Sequence, residues 1–226
     1  LDVLRARLNN LDAIKTFVLP VATLPEWVVP VIPRSRAYKY LLKRGLTDDD
    51  IVAYRLGEGI LDDDCKVVIP SYDVHGVCEY WVARSLNPKN RIKYKNPPVP
   101  RRSHVGFLHL AMQHSKSIVL CEGVFSAMVA GRDAVAAYGK FVTTDQLHRI
   151  QQAGATELII ALDGDALKET LETAGRAAKM GFTTSMVELP VDKDPADLGR
   201  VEFRKLLERK KLITSIGILR TRLGKL

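Results

Sequence analysis

Acidic residues are missing from a long central part of the sequence. None occurs between Tyr80 and Cys121, although the chain has 26 aspartates and glutamates in total. The window contains eight basic residues, namely Arg84, Lys89, Arg91, Lys93, Lys95, Arg101, Arg102 and Lys116. Tyr80, Trp81 and Tyr94 lie among them. Basic residues with interleaved aromatics favour contact with nucleic acid or nucleotides, and a solvated charged face is the alternative.

Cysteine and long apolar runs are also scarce. The three cysteines, Cys65, Cys78 and Cys121, form no C-x-x-C pair, so we expect neither a zinc site nor a disulfide framework in this chain. The longest apolar runs are far shorter than the roughly 20 residues needed to span a bilayer. No signal peptide is evident, which predicts a cytoplasmic protein without a membrane partner.

The remaining charge is unevenly distributed. A second basic stretch closes the chain, and its members are Arg204, Lys205, Arg209, Lys210, Lys211, Arg220, Arg222 and Lys225. Because the net charge of the whole chain is +8, the rest of the sequence is acidic. Acidic and basic regions are therefore segregated along the sequence, which favours binding of an anionic partner by the basic regions.

The first half of the chain predicts an α+β region. A helical pattern over residues 1–17 precedes a proline-rich linker, so residues 1–34 form the first segment. Two short helices are predicted over residues 35–44 and 48–56, with Thr47 as N-cap and Gly45 between them. An acidic loop over residues 62–64 and two strands over residues 66–70 and 77–85 follow. The basic subdomain covers residues 35–115.

The second half, residues 116–200, alternates strands and helices. Strands are predicted over residues 117–121, 134–138, 158–162 and 183–189, with helices over 124–131, 144–153 and 165–180 between them. The strands are apolar throughout, which is typical of a parallel sheet with helices on both faces. The fold class is thus α/β preceded by α+β, and a basic helical tail covers residues 201–226.

Carboxylates follow three of these predicted strands. Glu122 comes after the first strand, Asp163 and Asp165 after the third, and Asp194 and Asp197 after the fourth. The carboxyl ends of parallel strands meet at one edge of a sheet, where such folds bind ligands. Crowded carboxylates repel one another unless a cation neutralises them, and oxygen ligands favour Mg²⁺ or Mn²⁺. The alternative is that Asp163 to Asp165 form a turn and that Glu122 only opens a helix.

These residues resemble a known family. The segments VLCEG (119–123), DGD (163–165) and KDPAD (193–197) are similar to the Toprim signature of primases, topoisomerases and some nucleases. Upstream, RAYKYLLKRGL (36–46), VIPSYDVHG (68–76), WVAR (81–84) and KYKNP (93–97) resemble the RNA polymerase domain of DnaG-type primases. The resemblance covers about residues 35–200 and suggests a divergent, phage-like member with a Rossmann-like Toprim sheet.

The resemblance implies roles for individual residues. Glu122, Asp163 and Asp165 would be catalytic and bind Mg²⁺ or Mn²⁺ together with Asp194 and, with variable spacing, Asp197. Nucleic-acid and nucleotide contacts would fall to the basic half, at Arg84, Lys93, Tyr94, Lys95 and Asn96. The sequence departs from the family at Ser126, where an aspartate is usual, and at Lys140, where a threonine is usual.

The implied activity is primer synthesis during DNA replication. A DNA-directed RNA polymerase of this class copies a single-stranded DNA template into a short RNA primer from NTPs. Its partners would include a replicative helicase and a zinc-binding domain outside this chain, in a bacterial or phage-infected cytoplasm. Two other functions remain open, a Toprim metal-dependent nuclease and a non-catalytic nucleic-acid-binding module.

Overall fold

The computed structural model describes residues 22–213, and the helix expected over residues 1–17 lies outside this range. The first half contains an antiparallel sheet and two short helices. The strands are β1 (Val29–Pro30), β2 (Gly57–Leu61), β3 (Asp64–Tyr72), β4 (Cys78–Ser85) and β5 (Tyr94–Lys95), paired in this order. The helices are α1 (Arg36–Lys43) and α2 (Asp48–Ala53). The basic α+β half is therefore present as expected.

The local signals in the sequence explain these boundaries. Thr47 and Asp50 form a reciprocal capping box at the start of α2, which supplies partners for two otherwise free backbone N–H groups. Gly45 adopts a φ of +82° between the two helices, a conformation that glycine tolerates without a steric penalty. The Asp73 side chain accepts hydrogen bonds from the backbone N–H groups of His75 and Val77, and so shapes the hairpin between β3 and β4.

One expectation in this half is wrong. Asp64 was expected in a loop with Asp62 and Asp63, but it opens β3 and is 5% exposed. Burial alone would raise its pKa. Hydrogen bonds from Lys66, Ser85 and Asn90 outweigh that effect and lower the pKa to about 2. The carboxylate could be buried because partners distant in sequence surround it, which the sequence pattern does not reveal.

The second half is built on a mostly parallel sheet. Its strands are β6 (Ser117–Cys121), β7 (Ala134–Ala136), β8 (Glu157–Ala161), β9 (Thr183–Met186) and β10 (Lys211–Leu212), in the order β10-β9-β8-β6-β7. All pairings are parallel except β10 with β9. Its helices are α3 (Leu108–His114), α4 (Val124–Ala130), α5 (Thr144–Gln152), α6 (Leu167–Lys179) and α7 (Pro195–Glu208). Helix α3 and the strands β1, β2, β5 and β10 were not predicted. The tail expected to be helical from residue 201 belongs to α7 only as far as Glu208 and then forms β10, because pairing with β9 fixes that segment as a strand.

Helices cover both faces of this sheet. Along β6, Val119 and Cys121 point into one apolar cluster, and Ile118 and Leu120 point into another. The first cluster includes residues of α4 and α7, and the second includes residues of α5 and α6. Strands buried on both sides explain the continuous apolar runs in the sequence. The predicted α/β architecture is confirmed.

The two halves share one core. The cluster on the α4 side of the parallel sheet continues into the antiparallel half, where it includes Leu41 and Tyr54. The Tyr54 hydroxyl donates to the Gly131 carbonyl at 3.0 Å. Arg200 on α7 forms an ion pair at 2.8 Å with Asp50, which is 2% exposed. These contacts fix the position of one sheet against the other. Within residues 22–213, no helix has the length and apolar character needed to cross a membrane.

Candidate functional site

A cavity of about 300 Å³ lies where the two halves meet. The antiparallel half contributes Arg44, Val82, Tyr94, Asn96 and Arg101. The parallel half contributes Glu122, Gly123, Val124, Phe125, Ser126, Tyr138, Gly139, Asp163 and Asp194. Acidic side chains thus face basic and polar ones across a single cleft.

The three acids reach the cavity from the carboxyl edge of the parallel sheet. Glu122 directly follows β6, and Asp163 is two residues beyond the end of β8. Asp194 is the N-cap of α7, where its Oδ1 accepts a hydrogen bond from the Asp197 backbone N–H at 2.7 Å. The topology therefore brings together residues that are widely separated in the sequence.

Gly164 permits the close approach of Asp163 and Asp194. Its backbone N–H donates to the Lys193 carbonyl at 2.9 Å, which joins the two loops. A Cβ atom at position 164 would collide with the Pro190 carbonyl. The packing of the loop that leads to Asp194 thus requires a glycine at position 164, between Asp163 and Asp165.

The proximity of the acids shifts their ionisation. Burial, followed by the charges of Asp163 and Asp165, raises the pKa of Glu122 to about 7. Burial, followed by the charges of Asp194, Asp165 and Asp197, raises the pKa of Asp163 to about 6. Asp163 therefore lies within electrostatic range of the other aspartates, and Glu122 lies within range of Asp163, Asp165 and Asp194. Such mutual repulsion is relieved by a bound cation.

Asp165 and Asp197 occupy a different position from the other three. Both are exposed, and neither lines the cavity. Asp197 is the third residue of α7 and completes the capping box with Asp194. This cap gives Asp197 a structural function, and its assignment as a metal ligand stays a prediction.

The donor set is suited to a hydrated divalent cation. Among residues 22–213, no three His, Cys, Asp or Glu side chains converge closely enough to enclose a metal ion. Mg²⁺ does not need such a cage, because it usually keeps several waters and binds one or two carboxylates together with substrate phosphates. Glu122 and Asp163 fit this mode of binding, with Asp194 beside them in the cavity.

Only some of the residues predicted to bind nucleic acid or nucleotides line the cavity. Arg84 and Tyr94 pair across β4 and β5, and the guanidinium lies 4.6 Å from the centre of the Tyr94 ring. Tyr94 and Asn96 line the cavity, as their predicted role requires. Lys93 instead donates to the Pro88 carbonyl, and Lys95 lies 3.7 Å from Asp62.

Sequence reasoning missed two arginines and misread two aromatics. Arg44 ends α1 and its guanidinium lies 4.8 Å from the ring of Phe125, so only the folded chain places it at the cavity. Arg101 belonged to the acid-free window but was not singled out. Tyr80 and Trp81 are 1% and 5% exposed and belong to the core, so Tyr94 is the aromatic of that window left for ligand contact.

Part of the second basic stretch is neutralised within the parallel half. Lys210 pairs with Glu157 at 2.7 Å and Lys211 pairs with Glu188 at 2.7 Å. Lys205 pairs with Glu202 on the same helix. Arg220, Arg222 and Lys225 lie outside the described residues. These ion pairs give Lys205, Lys210 and Lys211 a structural function.

Curated proteins similar to the chain are DNA primases. A DNA primase of Treponema pallidum (strain Nichols) is 26% identical over 225 residues, covering 88% of this chain and 34% of the relative. A DNA primase of Myxococcus xanthus is 34% identical over 100 residues, covering 42% of this chain and 16% of the relative. The chain thus spans about a third or less of the length of these relatives. No protein-family model matches it.

Solved primase structures have the same fold. The zinc-binding and RNA polymerase domains of Aquifex aeolicus primase match with a TM-score of 0.67 and 19% identity, over 80% of this chain and 57% of that one. The E. coli primase catalytic core matches with a TM-score of 0.66 and 22% identity, over 83% and 76%. A DnaG primase catalytic domain bound to ssDNA matches with a TM-score of 0.67 and 21% identity, over 84% and 77%.

The fold is therefore a mostly parallel sheet, covered by helices on both faces, joined to a basic antiparallel sheet. Within that class, the chain has the architecture of the DnaG primase catalytic core, and the resemblance found in the sequence is confirmed.

Proposed function

We propose that the chain is the catalytic core of a DNA primase, which synthesises short RNA primers on single-stranded DNA from NTPs. The observation that carries this proposal is the cleft with Glu122, Asp163 and Asp194 on one wall and Arg44 and Arg101 on the other. Acids hold a metal and bases hold phosphates in such a cleft. The similarity to DNA primases of two bacteria supports the same function.

Each wall has its own task in this proposal. Glu122 and Asp163 would hold Mg²⁺ or Mn²⁺, with Asp194 and Asp165 adding negative charge nearby. When bound, a divalent cation lowers the pKa of an attacking 3′-hydroxyl and offsets charge on the pyrophosphate leaving group. The acids position that cation on rigid strand ends, and preorganised charge of this kind contributes much of the rate in phosphoryl-type transfer.

The antiparallel half binds and orients the reactants. Arg44 and Arg101 line the cleft and would contact phosphates, and Asn96 offers an amide to a base or sugar. Tyr94 is 43% exposed and is held by Arg84, so its ring is available for stacking. The single-stranded template would pass along Lys93 and Lys95 outside the cavity. A zinc-binding domain and a replicative helicase are proposed as partners.

The test is primer synthesis by the purified chain. The protein is incubated with single-stranded DNA, four NTPs and Mg²⁺ or Mn²⁺, and labelled products are separated on a denaturing gel. Short RNA that depends on the template supports the proposal. Degradation of the template would instead indicate a Toprim nuclease, and binding without any product would indicate a non-catalytic module.

The matched variants are Arg44→Met and Lys179→Met. Each removes one positive charge, but Arg44 lines the cleft and the exposed Lys179 ends α6 at the opposite edge of the sheet. We expect only Arg44→Met to raise the NTP concentration needed for half-maximal synthesis. Equal effects of the two variants would mean that overall charge, and not the cleft, determines nucleotide binding.

A further inference from the structure

The loop between β7 and α5 places a cation and an aromatic ring beside the carboxylate edge. Lys140 and Phe141 form its tip, and the Phe141 side chain is 60% exposed. The Lys140 Nζ lies 5.7 Å from the centre of the Phe141 ring. The loop follows β7, the strand next to β6, so its tip lies at the same edge as Glu122. Neither residue is used by the cleft described above.

Both ends of this loop are fixed. The Gly139 backbone N–H donates to the Glu122 carbonyl at 3.2 Å, which ties the loop to the residue that follows β6. At the other end Val142 is 2% exposed, and its carbonyl accepts a hydrogen bond from Arg176 at 2.6 Å. The backbone that carries the exposed ring is therefore anchored on both sides of Phe141.

The charge of Lys140 acts on the acidic wall. Its ammonium group lies 3.9 Å from Glu169 and within electrostatic range of Glu122. A single exposed aromatic on a surface needs no explanation. A ring with a cation beside it, at the rim of a cleft that contains acids, matches the base and the phosphate of one nucleotide.

We propose that Phe141 stacks on a nucleobase and that Lys140 binds the phosphate of the same nucleotide. The loop thereby extends the cleft along the parallel half. This inference rests on the proposed function for the identity of the ligand. A base with its phosphate can belong to a single strand or to a free NTP, and the experiment separates these two sources.

The direct test is fluorescence of Phe141→Trp in a Trp27→Phe, Trp81→Phe background. A base stacked on residue 141 quenches tryptophan emission. Oligothymidylate and ATP are titrated separately, in the absence of divalent metal to prevent turnover. The control is Val52→Trp, because Val52 is 75% exposed and lies on α2, whose Asp49 carbonyl accepts from Arg132 at the amino end of β7. We expect quenching at position 141 and none at position 52.

Affinity measurements provide the second readout. Phe141→Ala should weaken binding of the quenching ligand by about 5- to 10-fold, which corresponds to about 1–1.4 kcal/mol, at the lower end of what stacking of one base on an aromatic side chain contributes. Phe141→Trp should retain the affinity. Lys140→Met should lower the slope of log K against log salt for oligothymidylate by about 0.7, and Lys179→Met should leave that slope unchanged.

The outcomes are distinct. Quenching by oligothymidylate alone assigns the loop to a nucleic-acid strand, and quenching by ATP alone assigns it to the incoming nucleotide. Either result supports the inference. Absence of quenching in both titrations, with unchanged affinities for Phe141→Ala, overturns it even if the chain makes RNA. Quenching in a protein that makes no RNA refutes the proposed function but still supports the contact between Phe141 and a nucleotide.

Discussion

The antiparallel and parallel sheets place their charged side chains by different means. In the parallel half, the acids follow buried strands and lie at one edge. In the antiparallel half, the cleft-facing groups come from the end of α1, the edge strand β5 and the turn around Arg101. Strand ends converge by topology, so one sheet sets the positions of the acids. The basic groups come from separate elements, so packing between distant segments sets their positions.

This difference suggests a division of work. Acids placed by one sheet edge are suited to a transition state, for which small displacements are costly. Bases spread over several elements are suited to capturing a polyanion, where attraction extends over about 8 Å at physiological salt. Of the four predictions below, the first and the last test whether chemistry and binding separate along this boundary, and the other two test the packing that holds the site and the two halves together.

The largest effect is expected for Asp163→Asn. Removing this carboxylate should lower the initial rate of primer synthesis by at least about 100-fold, as expected for loss of a group that stabilises the transition state. The dissociation constant for single-stranded DNA should change by less than about twofold, because ground-state binding falls to the basic half. Rates come from labelled RNA, and affinities come from fluorescence anisotropy.

The control for this variant is Asp192→Asn. Asp192 is an exposed acid in the loop before Asp194, so the substitution removes the same charge close by. Its φ of +57° is one that asparagine tolerates. Comparable loss of activity in both variants would show that net charge matters at this edge, and the assignment of Asp163 would fail.

A stability effect is expected for Gly164→Ala. The added methyl group must displace the Pro190 carbonyl, and overpacking of this kind costs about 1–3 kcal/mol. The comparison variant is Gly123→Ala, because a Cβ there meets open space. Urea unfolding gives the free energies. If Gly164→Ala were no less stable than Gly123→Ala, the close approach of the two loops would not be required.

A pH-dependent effect is expected at the junction of the halves. His104 is 1% exposed and packs 5.1 Å from Tyr80 of β4, and its carbonyl accepts from Gln146 of α5. Burial, followed by the charge of Arg149, lowers the pKa of His104 to about 4. Below pH 6.5 the unfolded chain gains a proton that the folded chain gains only near pH 4. Stability is therefore lost as the pH falls through this window.

His104→Leu should remove this loss. Between pH 7 and pH 5 the variant should lose about 2 kcal/mol less free energy of unfolding than the wild type. Urea unfolding at pH 7, 6 and 5 measures the difference, and His148→Gln serves as the control because His148 is exposed. Identical pH dependence in wild type and His104→Leu would exclude a buried neutral histidine at the junction.

The smallest effect is expected for Lys93→Met. If Lys93 contacts one phosphate, the slope of log K against log salt for single-stranded DNA should fall by about 0.7. The rate of primer synthesis at saturating template should stay near the wild-type value. A slope equal to that of Lys179→Met would show that Lys93 is a solvated surface residue without a phosphate contact. A large loss of rate at saturating template would show that binding and chemistry do not separate between the two halves.

Local patterns in the sequence predicted much of the fold. Apolar runs located β6, β7 and β8, because strands covered on both faces contain few polar residues. The position of β9 was also predicted, although its sequence contains two threonines and a serine. The capping box of α2 and the hairpin at Asp73 were also identified. The helix α3 and the strands β1, β2, β5 and β10 were missed. All are short, and tertiary packing decides the structure of such segments.

The sequence by itself determined the order of elements, the segregation of charge and the acids that follow buried strands, since these depend on periodicity and on the rule that parallel strands end at one edge. Only the tertiary structure decided which side chains face each other. Arg44 and Arg101 meet the acids, Tyr80 and Trp81 are buried, and Asp64 finds its partners. These outcomes depend on contacts between distant parts of the chain, and no local pattern encodes such contacts.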